Sequence, residues 1–226
     1  MRKIKLNKSK VFLHSTFLLI LFFSINLMAQ PVKSTVETSN QAWKYGVRVG
    51  GGFDKTTLQQ GGEYKLGWKA GFVAEKRLVY NMYFQPSLSF QNKGYKYEMP
   101  FNNRYDINAY LIEGVAGMLM KFGDERAGRG LILSVAPYFT YGIGGSSTFE
   151  DLRDPSTPNY YGKVTEKTFS DNRLNAFDIG FQLGIGYDLN HRWEIGGVYI
   201  FGLNKMMNYS NARWAGFQVH LSYFFY

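Results

Sequence analysis

The 226-residue chain carries 26 Lys+Arg against 17 Asp+Glu, a formal charge of +9. Five of those cations (Arg2, Lys3, Lys5, Lys8 and Lys10) lie in the first ten residues, ahead of an apolar run from Val11 to Met28 and the small residue Ala29. With residues 1–29 set aside, 21 basic residues face 17 acidic ones, and a net +4 without a Lys/Arg stripe removes the support for nucleic acid as a partner.

A basic start, an apolar stretch and a small residue form the order of a cleavable secretory signal peptide over 1–29, with the cut after Ala29. A retained anchor is the rival, since the run approaches the length of a spanning helix. There is no Cys near the cut, which excludes a lipidated N-terminus; the chain has no Cys at all. Residues 30–44 are polar and aperiodic, a short lead-in on the periplasmic side. No later stretch is long and apolar enough for a spanning helix, so a membrane-embedded mature chain must cross as strands.

From residue 45 onward the period is two. Side chains on a strand alternate between faces, so each such segment has one greasy face and one small or polar face. Tyr45, Val47 and Val49 oppose Gly46, Arg48 and Gly50. Trp68, Ala70, Phe72 and Ala74 oppose Lys69, Gly71 and Glu75. Phe84, Pro86, Leu88 and Phe90 oppose Gln85, Ser87, Ser89 and Gln91. Over 107–122 the alternation is least regular, with Glu113 and Lys121 on one parity and Ile112, Met118, Met120 and Phe122 on the other. Leu131, Leu133, Val135, Phe139 and Tyr141 oppose Ser134, Ala136, Thr140 and Gly142. Phe177 to Leu189 is the clearest case: seven apolar or aromatic residues interleave with Asp178, Gly180, Gln182, Gly184, Gly186 and Asp188. Trp193, Ile195, Tyr199 and Phe201 alternate with Glu194, Gly196 and Gly202. Phe217, Val219, Leu221, Tyr223 and Phe225 alternate with Gly216, Gln218, His220 and Ser222.

The pattern predicts eight strands near 45–53, 66–77, 82–95, 107–122, 130–143, 175–189, 192–203 and 213–226. Connections alternate long and short, the longest being 144–174. Long loops on one rim and tight turns on the other point to an all-β, eight-stranded antiparallel up-and-down transmembrane β-barrel over 45–226, in the cell outer membrane. A soluble, lipocalin-like barrel with its greasy face inward is the alternative. Three features speak against it. The polar face is made of Gly, Ser, Ala and Gln, as a narrow lumen needs. Aromatics (Trp43, Tyr45, Trp68, Tyr187, Trp193, Trp214) sit near strand ends as membrane girdles do. The chain stops on Tyr-Phe-Phe-Tyr within its last strand.

Particular segments resemble the PorT-like family of outer-membrane β-barrels of Bacteroidetes. The run AGFVAEKRLVYNMYFQPSLSFQNKG (70–94) is similar to that family's AGxFAExRL and QPELxYSQKG pattern. APYFTYGI (136–143), FDIGFQLGIGYDL (177–189), Tyr199 to Leu203 and the closing FQVHLSYFF (217–225) resemble further family strands in the same order. YLIEGVAGMLMKF (110–122) departs from it. The resemblance implies the barrel fold and an outer-membrane location, and in some members a link to secretion or gliding machinery.

Several constellations are candidates for chemistry. Arg48, Lys69, Glu75, Glu113, Lys121, Asp178, Asp188 and Glu194 all have lumen parity. They form either an interior network of paired charges or a path for ions, and eight strands favour the network. His220 and Ser222 share a face, the pair a lipid A-modifying barrel enzyme would need. Two residues apart, though, they are too far for a direct nucleophile–base bond. His191 falls in a tight periplasmic turn. No metal-ligand spacing and no cofactor motif is present, and the clusters Gly50-Gly51-Gly52 and Gly142 to Gly145 suit strand curvature. The loop 144–174 is the candidate recognition element. The expected role is non-enzymatic, structural or interactive, with a narrow channel and a lipid A-modifying enzyme as alternatives. The expected partners are outer-membrane lipids, the barrel-assembly machinery during insertion, and a protein met through the loops.

Overall fold

The computed structural model describes residues 42–57, 62–99, 103–124, 128–153, 155–156, 160, 162–169, 174–207 and 211–225. The expected signal peptide and all but the last residues of the lead-in lie outside them.

Among the described residues nine strands run in chain order: β1 (Lys44–Thr56), β2 (Gly62–Val79), β3 (Met82–Met99), β4 (Asn103–Asp124), β5 (Arg129–Asp151), β6 (Lys163–Lys167), β7 (Phe177–Asp188), β8 (Trp193–Gly202) and β9 (Trp214–Phe225). Eight of them close into a ring. Each pairs antiparallel with its neighbour in the order β1-β2-β3-β4-β5-β7-β8-β9, and β9 pairs back onto β1 from Tyr45↔Phe225 to Thr56↔Trp214. A closed ring leaves no edge, so every spanning strand has a backbone partner on both sides without help from water.

The direction of the alternation is settled by exposure. Phe72 is 70% exposed and Leu66 67%, whereas Lys69 is 5% exposed and Glu113 and Gln91 are fully buried. The greasy faces point outward and the polar faces inward, which excludes the lipocalin-like alternative. On β4 the expected parity holds: Glu113 is inside, and Ile112, Met120 and Phe122 are outside. The sequence looked irregular there because Leu111, Val115 and Leu119 also face inward. Val115 joins an apolar patch of the interior instead of the lipid face, packed beside Ala136, Tyr138, Val198 and Ile200.

Three expectations need correction. First, the stretch 144–174 is not simply a loop. β5 continues to Asp151 and pairs with β4 to its end, and β6 folds back on it with Ser146↔Lys167 and Glu150↔Lys163. Second, the third connection shrinks to 100–102, because β3 and β4 stay paired as far as Met99↔Asn103. Beyond the lipid the greasy-out rule lapses, so periodicity fades although backbone pairing continues. Third, Trp214 does not belong to a girdle. It is 5% exposed, points into the barrel and packs edge-on against Tyr95 at 6.0 Å. Trp43, Tyr45, Trp68, Tyr187 and Trp193 face outward as expected.

One irregularity sits in the wall. Tyr110 pairs with Gly144 but Leu111 with Gly142, so Ile143 is an extra residue in β5. Such a bulge bends its strand and exchanges its faces. Past it, Ser147 and Asp151 point inward and Thr148 and Glu150 outward. At the opposite rim β2 and β3 join through the two residues Tyr80 and Asn81, with Tyr80 at φ 44° and its carbonyl accepting from Arg77 Nε.

Candidate functional site

Inward-facing polar residues from all eight ring strands meet along the barrel axis in two layers. The layer nearer the short-turn rim is built on Glu194 of β8. Arg48 on β1 donates from Nη2 to Glu194 Oε1 at 2.9 Å and to Gln85 Oε1 at 2.5 Å, and from Nε to Ser222 Oγ at 2.8 Å. Gln85 Nε2 lies 2.9 Å from Glu75 Oε2 and 2.8 Å from Glu194 Oε2. Lys121 sits among three carboxylates: Glu75 at 2.7 Å, Asp188 at 2.9 Å and Glu194 at 3.8 Å. His220 Nε2 faces Glu194 Oε1 at 3.6 Å.

The second layer is built on Glu113 of β4. Its carboxylate receives Lys69 Nζ at 3.4 Å, Gln91 Nε2 at 3.2 Å, Gln182 Nε2 at 3.1 Å and Ser89 Oγ at 3.5 Å. Beside it, Tyr138 donates to Asp178 Oδ2 at 2.7 Å, and Lys93 Nζ stands over the Tyr138 ring at 5.5 Å. Charged groups taken out of water are tolerated when paired and hydrogen-bonded, and both layers meet that condition through side chains of different strands. Four acceptor oxygens around the second layer (Asp54 Oδ2, Gln91 Oε1, Asp178 Oδ1 and Gln218 Oε1) have no hydrogen-bond partner among the described residues, and such groups commonly hold ordered water.

The predicted residues thus divide. Arg48, Glu75, Lys121, Asp188 and Glu194 come together in one layer, Lys69 and Glu113 in the other, and Asp178 bonds Tyr138 instead of joining an ion pair. Asp54, Lys93, Tyr138 and the four glutamines were missed as network members. Parity could have found most of them: Lys93 continues the inward series Gln85, Ser89, Gln91, and Tyr138 lies between Ala136 and Thr140. Asp54 falls just past the expected end of the first strand at 53, whereas β1 runs on to Thr56.

The axis is narrow between these layers and closed at the long-loop end. At the short-turn rim the barrel opens into a cavity of about 740 Å³ whose floor includes Lys121, Glu75 and Asp188, and whose wall includes His191. Between the layers is a space of about 30 Å³ beside Arg48, Gln85, Val115, Glu194 and His220, room for a water or two. Above the second layer, Tyr95, Ile107, Leu174, Met206, Ala212 and Trp214 form an apolar cap. Backbone bonds fasten it, with Asn175 N donating to Met206 O at 2.7 Å and Met206 N to Ala212 O at 2.8 Å.

The sequence profile of a family described as outer membrane protein beta-barrel domain matches residues 28–208. No curated protein sequence matches the chain. Among solved structures, Ail, the attachment invasion locus protein of Yersinia pestis, in complex with the heparin analogue sucrose octasulfate, is 10% identical, covers 81% of this chain and 99% of its own, and has a TM-score of 0.44. Neisserial surface protein A is 10% identical with 82% and 100% covered and a TM-score of 0.42. The N-terminal β-barrel domain of Pseudomonas aeruginosa OprF is 9% identical with 81% and 100% covered and a TM-score of 0.33.

Proposed function

For this chain, which belongs to the outer membrane protein beta-barrel domain family and resides in the outer membrane, we propose a non-enzymatic, non-conducting role as an interaction protein. The barrel is the scaffold, and the partner is a protein met through the extracellular segments of 144–174, chiefly the β5–β6 hairpin and its connection. The observation that carries this is the lumen itself: two layers of paired charge and an apolar cap fill the axis, so the fold's investment lies in rigidity beneath displayed segments. The resemblance of 70–94 and 177–189 to PorT-like barrels supports a partner within secretion machinery.

The enzymatic alternative has little support from the geometry. Ser222 accepts from Arg48 and His220 faces Glu194, both in the layer nearer the periplasm, far from outer-leaflet lipid. A photo-crosslinking residue at Leu152 or Tyr160, both exposed, should trap one discrete protein in intact cells. Absence of any adduct, together with steady single-channel currents from the purified protein, would reject the proposal in favour of a channel. A change in lipid A mass that depends on His220 (lost in His220→Ala) would reject it in favour of an enzyme.

A further inference from the structure

At the extracellular rim, the outward or exposed cations outnumber the outward or exposed carboxylates among the described residues. Asp54 and Asp151 point inward and are 2% and 3% exposed. Cations stand outside. Lys55 lies over the Tyr64 ring at 5.1 Å, Lys65 reaches Asp106, Lys96 and Arg104 occupy outward register positions, and Lys163, Lys167, Lys205 and Arg213 are exposed. Asp106 and Glu150 lie on that outer face, and Glu166 of β6 is exposed at the same rim. Asp106 is engaged from one side by Lys65 at 2.5 Å.

Within this collar, Lys96 of β3, Arg104 of β4 and Lys163 of β6 converge with Thr148, Asp106 and Glu150 around a recess of about 130 Å³. Its height is informative. The outward face of β4 is apolar from Phe122 up to Tyr110, and Tyr110 stacks on Phe90, which packs on Trp68, in an aromatic girdle. Arg104 lies six residues beyond Tyr110, about 20 Å along the strand and on the order of 14 Å in height at a tilt of ~45°. That lies above the headgroup layer, and from this height the long Lys and Arg stems on the outward face can reach down to it.

We infer that this outward basic collar, with its principal seat at Lys96, Arg104 and Lys163, binds the phosphoryl groups of outer-leaflet glycolipid. The guanidinium of Arg104 supplies a planar donor pair suited to phosphate, the two ammonium groups supply compact charge, and Thr148 supplies a hydroxyl. Glu150 is the register partner of both Arg104 and Lys163. Lipid anchored there braces the strands that rise past the membrane.

The test uses the folded mature chain in detergent, with lipid A and the same lipid A stripped of its phosphates as probes, read by native mass spectrometry. The wild type should prefer the phosphorylated form by about tenfold or more, and the preference should shrink as ionic strength rises. Lys96→Gln, Arg104→Gln and Lys163→Gln together should reduce it to about threefold or less, while Arg192→Gln at the opposite rim leaves it intact. Heat-modifiable gel mobility confirms that each variant is a closed barrel. Equal binding of both lipids, or equal loss in the Arg192 variant, overturns the inference. So does inorganic phosphate that displaces the lipid mole for mole, because the seat then takes a free anion.

Discussion

Glu113 is the residue on which the second lumen layer depends. Its carboxylate is fully buried and gathers donors from β2, β3 and β7. Glu113→Gln leaves the Lys69 ammonium buried without its counter-ion, a change that typically costs about 3–5 kcal/mol. Urea unfolding in lipid vesicles should show that loss. The double variant Lys69→Met, Glu113→Gln should recover most of it, because no uncompensated charge remains. A single variant as stable as the wild type would mean that the pair is solvated. A second residue-scale prediction concerns Gly52 at the seam of β1 and β9. A Cβ there would clash with the Phe217 carbonyl oxygen and lie 2.6 Å from the Gln218 Cα. Gly52→Val should therefore destabilise the barrel by about 1–3 kcal/mol, as overpacking does, read as a lower temperature at which the compact band is lost on gels. Gly52 lies between Gly51 and Phe53 in an alternating run and reads from sequence only as a permissive position. The neighbour that forbids a side chain there comes from the other end of the chain.

Among the elements, β6 stands apart. It pairs with β5 alone, all five of its residues are exposed, and it contributes nothing to the ring. Its connection is tied at the base, where Arg153 makes a paired contact to Asp151 at 2.9 and 2.7 Å and Asp151 N donates to Gly162 O. Replacing 152–167 by a Gly-Ser link, which keeps the buried Thr168 and its bond to the Asn108 carbonyl, should change unfolding stability by less than about 1 kcal/mol and keep heat-modifiable mobility, since lipid-facing burial and ring pairing are untouched. A barrel that no longer closes would show that the hairpin is part of the fold and not displayed on it. The spanning parts of these strands were legible because lipid imposes greasy residues at every second position. Their extensions past residues 95 and 143 were not, because once the lipid ends nothing fixes what a face must carry.

The barrel unit is blocked in series along its axis: a charged layer at Arg48 and Glu194, another at Lys69 and Glu113, and an apolar cap at Tyr95 and Trp214. Blocks in series must all be removed before ions pass. Shortening the cap segment 204–211 alone should leave planar bilayers silent. Adding Arg48→Ser, Glu194→Ser, Lys69→Ser and Glu113→Ser should allow small, brief currents in variants that still fold. Conductance from the cap variant alone would locate the barrier at the cap and make the layers an ion path.

The amino-acid sequence by itself determined the fold class, the compartment and which parity of each strand carries charge. Those follow from one local rule: a strand between lipid and lumen must alternate. Only the tertiary structure decided which charges meet. Asp178 shares its strand and parity with Asp188, yet it bonds Tyr138, while Asp188 reaches Lys121. Height along the axis separates them, and height depends on strand tilt, the bulge at Ile143 and the register of eight pairings summed around the ring. It also decided that Trp214 caps the barrel from within, since a strand end looks alike in sequence whether its last aromatic turns to lipid or to the mouth.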